Sequence, residues 1–423
     1  MTKIIQIFKI PDLRKKILMV VFLLFVFRLL AAIPIPGIDA AKLNEFFSSN
    51  QLFGFLNIFS GGGLSNLSVM MLGVGPYITA TIIMQLLTII FPQLKKAYYE
   101  EGAEGRIKFN RYSRYLTVPL AGLQAYGFLN LLISRQVLEH LSPVTMLSNI
   151  LIITAGSLLL TWIGELISEY KIGNGISLII FAGIVSRLPQ DVISSILSYT
   201  PTALPTYAAF IILAIVVVTG VTFINEGERK IPISYAKQVR GNKLYGGVST
   251  YLPLRVNQAG VIPIIFALSF LLFPQFLAQA ISAVSPNLSL YLNELVSKFF
   301  NNVPIYSLIY FVLVVVFTYF YTAITFDPKE ISKNLQQSGG FIPGVRPGRG
   351  TAQIIQHIVN RITLSGAIFL GAIAILPYLT QMITGIQALT IGGTALLIVV
   401  AVALEVMKQI ESQLTIREYE GII

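Results

Sequence analysis

Cysteine is absent from the 423-residue chain, so neither a disulfide framework nor a thiolate metal site can be built from it. Histidine is nearly absent: His140 and His357 lie far apart in hydrophilic stretches, which argues against a histidine-based metal centre. Charge is scarce as well. Only 12% of residues are charged, whereas a soluble domain carries about 25%. The pattern contains no Walker-type phosphate loop, no metal-ligand cluster and no Ser/His/Asp arrangement, so neither ATP hydrolysis nor proteolysis is expected of the chain, and no catalytic residue, metal ligand or cofactor is assigned.

In place of charge the sequence has apolar runs. Hydrophobic residues make up 55% of it and the mean hydropathy is +0.75. They fall into ten blocks, roughly 17–33, 67–91, 116–134, 145–168, 174–188, 206–225, 256–279, 305–326, 364–385 and 388–408. About 20 apolar residues cross a bilayer as a helix. The blocks are continuous rather than alternating, which favours helices over a membrane β-barrel. The fifth is short and is expected to tilt or to be shielded by protein. The expected fold is therefore an all-α polytopic membrane protein with ten transmembrane helices. Lys3, Lys9, Arg14, Lys15 and Lys16 precede the first block, as in a signal peptide. That block nevertheless ends in Ile33-Pro34-Ile35-Pro36-Gly37 without a small-x-small cleavage site, and reads as a retained span.

The connecting loops alternate in charge. Of the 30 basic residues, only Arg28, Lys42, Arg135, Arg187 and Lys298 fall outside the loops on one side. By the positive-inside rule both termini are expected to be cytoplasmic. The +11 net charge is then mainly a topology signal, with contact to nucleic acid such as ribosomal RNA as the second reading. Two loops on the basic side are long, 226–255 and 327–363, and neither holds a domain-sized core. Loops of that length are functional or disordered. The turn residues in Phe341-Ile342-Pro343-Gly344-Val345-Arg346-Pro347-Gly348 favour an ordered, exposed tip.

Within the blocks the membrane interior is nearly uncharged, which counts against an ion-coupled carrier with a midplane site. On the outer side, Leu52-Phe53-Gly54-Phe55-Leu56-Asn57-Ile58-Phe59 is apolar but too short to span, and Ser60-Gly61-Gly62-Gly63 comes directly after it. Two readings stand: a short hinged helix dipping into the protein, or an amphipathic segment on the outer surface. Ten spans divide as five plus five, and an odd number per half inverts the second half relative to the first.

Several stretches carry a family resemblance. The run Leu72-Gly73-Val74-Gly75-Pro76-Tyr77-Ile78-Thr79-Ala80-Thr81-Ile82-Ile83-Met84-Gln85-Leu86-Leu87 is similar to the second-span signature of the SecY translocase channels. Trp162-Ile163-Gly164-Glu165-Leu166-Ile167 with Gly173-Asn174-Gly175-Ile176-Ser177 resembles the second signature of that family. Phe341 to Gly348 matches its tip motif, and Gly260-Val261-Ile262-Pro263 and Gly392-Gly393-Thr394 fit spans 7 and 10.

The resemblance implies two inverted five-helix halves, 1–188 and 189–408, around a central hourglass pore, with a cytoplasmic tail at 409–423. Unfolded preproteins would cross it and membrane segments would leave sideways. The implied pore ring is Ile78, Ile82, Ile180, Ile184, Ile265 and Ile398. Two of its helices present i,i+4 pairs, and an apolar constriction excludes ions by dewetting. Residues 53–68 become a plug, with Phe55, Leu56, Ile58, Phe59, Gly61, Gly62 and Gly63, the glycines permitting a swing. A lateral gate would lie between spans 2–3 and 7–8, with Thr79, Thr81 and Gln85 available for hydrogen bonds across it. Ordinary packing of small polar residues explains those three equally well. Arg240, Lys243, Arg346 and Arg349 fall where the family engages the SecA motor ATPase or the ribosome. The other implied partners are the small membrane subunits SecE and SecG, signal-peptide and preprotein substrates, and membrane lipids; the location implied is the bacterial inner membrane. Energy would come from the partner. A secondary transporter of small hydrophobic or lipidic solutes is the alternative, and would require a polar midplane site.

Overall fold

Proline sets the start of many helices. Its missing N–H costs nothing in the first turn, where the donors have no intrahelical partner. Pro11, Pro76, Pro143, Pro286, Pro304 and Pro328 each stand at the first or second helical position. The computed structural model of the chain describes residues 10–35, 60, 63–64, 67–99, 101–134, 137–138, 141–197, 204–235, 238–240, 243–245, 249–281, 285–384 and 392–419. Their helices are α1 (Pro11–Ala31), α2 (Gly75–Ile90), α3 (Pro92–Tyr99), α4 (Gly102–Ser134), α5 (Pro143–Glu169), α6 (Gly175–Leu197), α7 (Leu204–Glu226), α8 (Ile262–Ile281), α9 (Pro286–Asn301), α10 (Val303–Thr325), α11 (Pro328–Gln337), α12 (Arg349–Thr384) and α13 (Gly392–Tyr419). The strands are β1 (Glu228–Tyr235), β2 (Gln238–Arg240), β3 (Lys243–Tyr245), β4 (Ser249–Arg255) and β5 (Gly340–Phe341).

Each apolar block contains one helix, and α3, α9 and α11 fall between blocks. Among the described residues four stretches are long and apolar enough to cross a bilayer: Glu104–Ser134, Pro143–Glu169, Val303–Gln337 and Arg349–Thr380. A fifth is reached by counting α2 with α3, which are bent 115° apart, and three shorter apolar helices lie in α6, α7 and α8. The exterior shows what solvates them. On α1, Leu18, Phe22, Phe25 and Leu29 recur every three to four residues, each more than half exposed. Soluble proteins do not leave such stripes bare, whereas lipid covers them. The chain is a multi-pass membrane protein.

Inside, a single apolar cluster draws on α1, α2, α5, α6, α7, α8, α10, α12 and α13. Helix α10 packs along α12 and α8, α7 along α13, and α8 meets both α2 and α4. Two boundaries differ from expectation. The fifth span continues as helix to Leu197, past the boundary at 188, with Pro189 inside it. Helix α13 runs through residue 408 to Tyr419, so most of the expected tail is helix. There Leu414 packs with Ile10 and Leu13 of the α1 end, because that extension keeps an apolar face.

The second span departs most. Residues 67–91 read as one apolar helix, but α2 begins only at Gly75, and residues 67–74 form successive turns. Gly73 has φ +57°, and Leu67 is a buried non-glycine at φ +39°. Irregular backbone at membrane depth survives only where protein satisfies it. Here it does: Ile35 N–H donates to Leu67 O (2.9 Å), Val69 N–H to Ile33 O (3.0 Å), and the Ser157 hydroxyl of α5 to Gly73 O (2.9 Å). A Cβ at Gly156 would stand 2.1 Å from Val69 O, so the absence of a side chain there lets this segment lie directly on α5.

The α5–α6 corner shows what its motif does structurally. Asn174 Oδ1 accepts the N–H groups of Ile176 and Ser177, capping α6, and Ser168 Oγ accepts that of Gly175 (2.9 Å). A Cβ on Gly175 would meet the Gly164 carbonyl oxygen at 1.8 Å. We expect Gly175→Ala to lower the apparent melting midpoint in detergent by several degrees, since overpacking against backbone costs about 1–3 kcal/mol. Gly75→Ala, with nothing within 4 Å of its added carbon, is expected to leave the midpoint unchanged. Equal midpoints for both variants would refute the close approach.

The two long loops on the basic side fold together. Strands β4, β1 and β5 form one antiparallel sheet, so loop 226–255 and loop 327–363 share backbone hydrogen bonds. Beneath it Ile231, Ile233, Leu254, Leu335, Ile342, Ile355 and Val359 make a small buried cluster. Neither loop has a core alone. The pair builds one against the first turns of α12.

Candidate functional site

Six isoleucines on four helices are buried in the protein interior. Ile78 and Ile82 of α2, Ile180 and Ile184 of α6, Ile265 of α8 and Ile398 of α13 all belong to the central cluster. None is more than 5% exposed. Elsewhere on α2, Ile89 and Ile90 are 65% and 68% exposed. Both stand at the C-terminal end of α2, which stops at Ile90, so the same residue type takes opposite environments according to its position along the helix.

Helix α8 packs against α2 and α4, and the seam between them is where the lateral gate is expected. Along it, the Thr79 hydroxyl donates to Gly75 O (3.0 Å), and that of Thr81 to Tyr77 O and Ile78 O (3.0 and 2.8 Å). Both donors thus return to their own helix, as hydroxyls in apolar helices commonly do, and neither is directed across the seam. Gln85 Oε1 is buried without a hydrogen-bond partner. It is an acceptor that a polar group entering the seam can satisfy.

Of the plug segment, Gly63 alone among the named residues lies within the described ones; Phe55, Leu56, Ile58, Phe59, Gly61 and Gly62 lie outside them. Gly63 is held rather than free. Its carbonyl accepts Ser68 N–H (2.8 Å), and a Cβ would meet Ser68 Oγ at 2.8 Å and Met70 O at 2.9 Å. Leu64 and Leu67 are buried with Phe128, Leu132 and Leu138 where α4 gives way to α5. Sequence reasoning did not find this footing. The bridge between Pro34 and Ser68 joins positions far apart in the chain, and only the prolines near 34 hinted at extended backbone.

On the basic side, the tip is a turn with defined chemistry. Val345 N–H donates to Ile342 O (3.1 Å) across Pro343-Gly344, and Gly344 has φ +81°, the value a type II turn requires. Gly348, at φ +90°, is tied through its carbonyl to the Ser332 hydroxyl (2.6 Å). Between these anchors the Arg346 side chain is exposed, as is that of Arg349. Arg240 and Lys243 pair in register at the end of the β2–β3 hairpin, and their side chains lie outside the described ones. Near the membrane, Arg114 of α4 meets Glu165 of α5 at 3.0 Å. Lys108, exposed, pairs with Glu104 at 3.3 Å and with Glu101 at 3.5 Å. Among the described residues no cluster of His, Asp and Glu could hold a metal ion.

Comparison with known proteins matches residues 68–407 to the SecY family model. The chain belongs to the SecY family. Protein translocase subunits SecY of Mycobacterium leprae and Thermus thermophilus are 41% and 44% identical to it, over 97% and 98% of this chain and 97% and 96% of theirs. A structure described as that of a protein conducting channel has the same fold, with a TM-score of 0.64 at 20% identity, over 93% of this chain and 90% of that one. The Sec61 channel of a canine ribosome complex gives 0.60 at 20% identity over the same shares. The SecY match begins at Ser68, inside the bonded footing, and ends before the last turns of α13. It takes in the ring isoleucines, the α8 seam and the tip, while most of the plug segment precedes it.

Proposed function

We propose that this chain is the channel-forming subunit of a Sec translocase, a passive conduit through which unfolded preproteins cross the membrane and from which membrane segments leave sideways. The observation that supports the site assignment is the burial of Ile78, Ile82, Ile180, Ile184, Ile265 and Ile398, from early and late spans alike, in the same apolar cluster. Such a ring closes by van der Waals contact and needs no specific bond to any cargo, so it can yield to any sequence. Residues 53–68 serve as the plug, and the α2/α4–α8 seam as the lateral gate. Arg346, with Arg349, Arg240 and Lys243, forms the docking edge for the SecA motor or the ribosome, and SecE and SecG complete the membrane assembly. The basic loops favour a tip and two termini on the cytoplasmic side of a bacterial inner membrane.

The absence of cysteine makes the test clean. One cysteine is placed at Ile82 or Ile180, another in a preprotein stalled midway, and a control at Leu151, which is 61% exposed on α5. Disulfide formation is expected at the ring positions and not at the control. No crosslink from an intact stalled complex would put the passing chain elsewhere and reopen the small-solute transporter reading.

A further inference from the structure

Helix α9 joins the outer ends of the seventh and eighth spans, and Asn302 is both its last cap and the first cap of α10, its Oδ1 accepting Ile305 N–H (3.3 Å). With no linker, α9 is held at the level where α10 leaves the membrane. Its sequence, PNLSLYLNELVSKFFN, is amphipathic. Phe299 and Phe300 turn inward and stack on Tyr306, at ring separations of 5.8 and 5.6 Å. Leu288, Tyr291 and Leu295, spaced three and four apart on the same face as Phe299, are left 49%, 61% and 46% exposed. Along its polar edge Lys298 is paired with Glu294 at 2.8 Å.

On α10, which follows directly, Ile305, Leu308 and Val312 are likewise 48%, 64% and 49% exposed, as a face turned to lipid would be. An aromatic hydroxyl beside leucines, with a paired lysine at the margin, matches the boundary between headgroups and acyl chains. Helix α9 also packs against α8, the helix that borders the seam. We propose that α9 is an interfacial anchor: Leu288, Tyr291 and Leu295 lie in the outer headgroup region of the bilayer and hold the outer end of α8 there. The outer placement rests on the topology that the proposed function adopts, whereas immersion in lipid does not.

Single spin-labelled cysteines at Leu288, Tyr291 and Leu295, and at the exposed polar positions Asn287 and Ser297, are to be read in phosphatidylethanolamine–phosphatidylglycerol vesicles. Collision with dissolved oxygen is compared with collision with a water-soluble nickel chelate. The three apolar positions are expected to favour oxygen by about threefold or more relative to Asn287 and Ser297. Equal access to the chelate at all five positions would overturn the anchor. So would protection of the stripe from both reagents, which would mean that a protein covers it. Either failure leaves the ring crosslink untouched, since the two experiments read different surfaces.

Discussion

Replacing Ile180 and Ile184 together with asparagine is expected to make the resting protein conduct ions. Both side chains are buried in the central cluster, at 0% and 5% exposure, one turn apart on α6. At a constriction of this kind the barrier to an ion is the cost of stripping its water against apolar walls. Two carboxamides supply donors and acceptors there, so water enters and ions come with it. Removing about 1.4 kcal/mol from the barrier raises the rate tenfold, and the leak from potassium-loaded proteoliposomes should rise by about that factor or more. The Ile180→Leu, Ile184→Leu pair keeps the volume and the apolar character, and should stay sealed. If the leucine pair leaked as much as the asparagine pair, loss of packing rather than wetting would be the cause, and the ring would not be the seal.

The second large effect is at the tip. Arg346→Glu is expected to cut preprotein translocation driven by a cytoplasmic partner by about tenfold or more while leaving the melting midpoint in place. The side chain is exposed between anchored neighbours, so its loss disturbs no packing. A partner's acidic groups would then meet like charge, which commonly costs several kcal/mol at an interface. Lys333→Glu on α11 makes the same change in net charge at another exposed position of the same loop, and should have little effect. Equal losses from both variants would show that the tip contributes only general charge. A drop in stability from Arg346→Glu alone would show that the residue supports the turn rather than docking.

How much of the fold and the site is legible in the sequence depends on distance along the chain. The spans are legible because a bilayer demands a continuous apolar run, and each block does contain a helix. The outer part of the second span is not. Leu67 to Val74 is as apolar as α2 itself, and its irregular path depends on bonds from Ile35 and Ser157, which no local pattern announces. The basic-side loops look coreless for a related reason. Strand β5 has only two residues, and its pairing with β1 joins positions about a hundred residues apart. The ring is legible only through the family motif, since Ile82 and Ile89 are indistinguishable as letters yet occupy opposite surroundings. The threonines of α2 suggest bonds across the seam, and their hydroxyls instead close on the preceding turn.

The pairing of 33–35 with 67–69 has a mechanical consequence. Chain that leaves and re-enters at one bonded footing is a closed excursion: its two ends cannot separate, whatever happens between them. A tug on residues 36–66 is therefore borne by that footing and by the leucines buried beneath it, not by α1 and α2. The length of the excursion can drift over evolutionary time without changing the spacing of the spans that flank it.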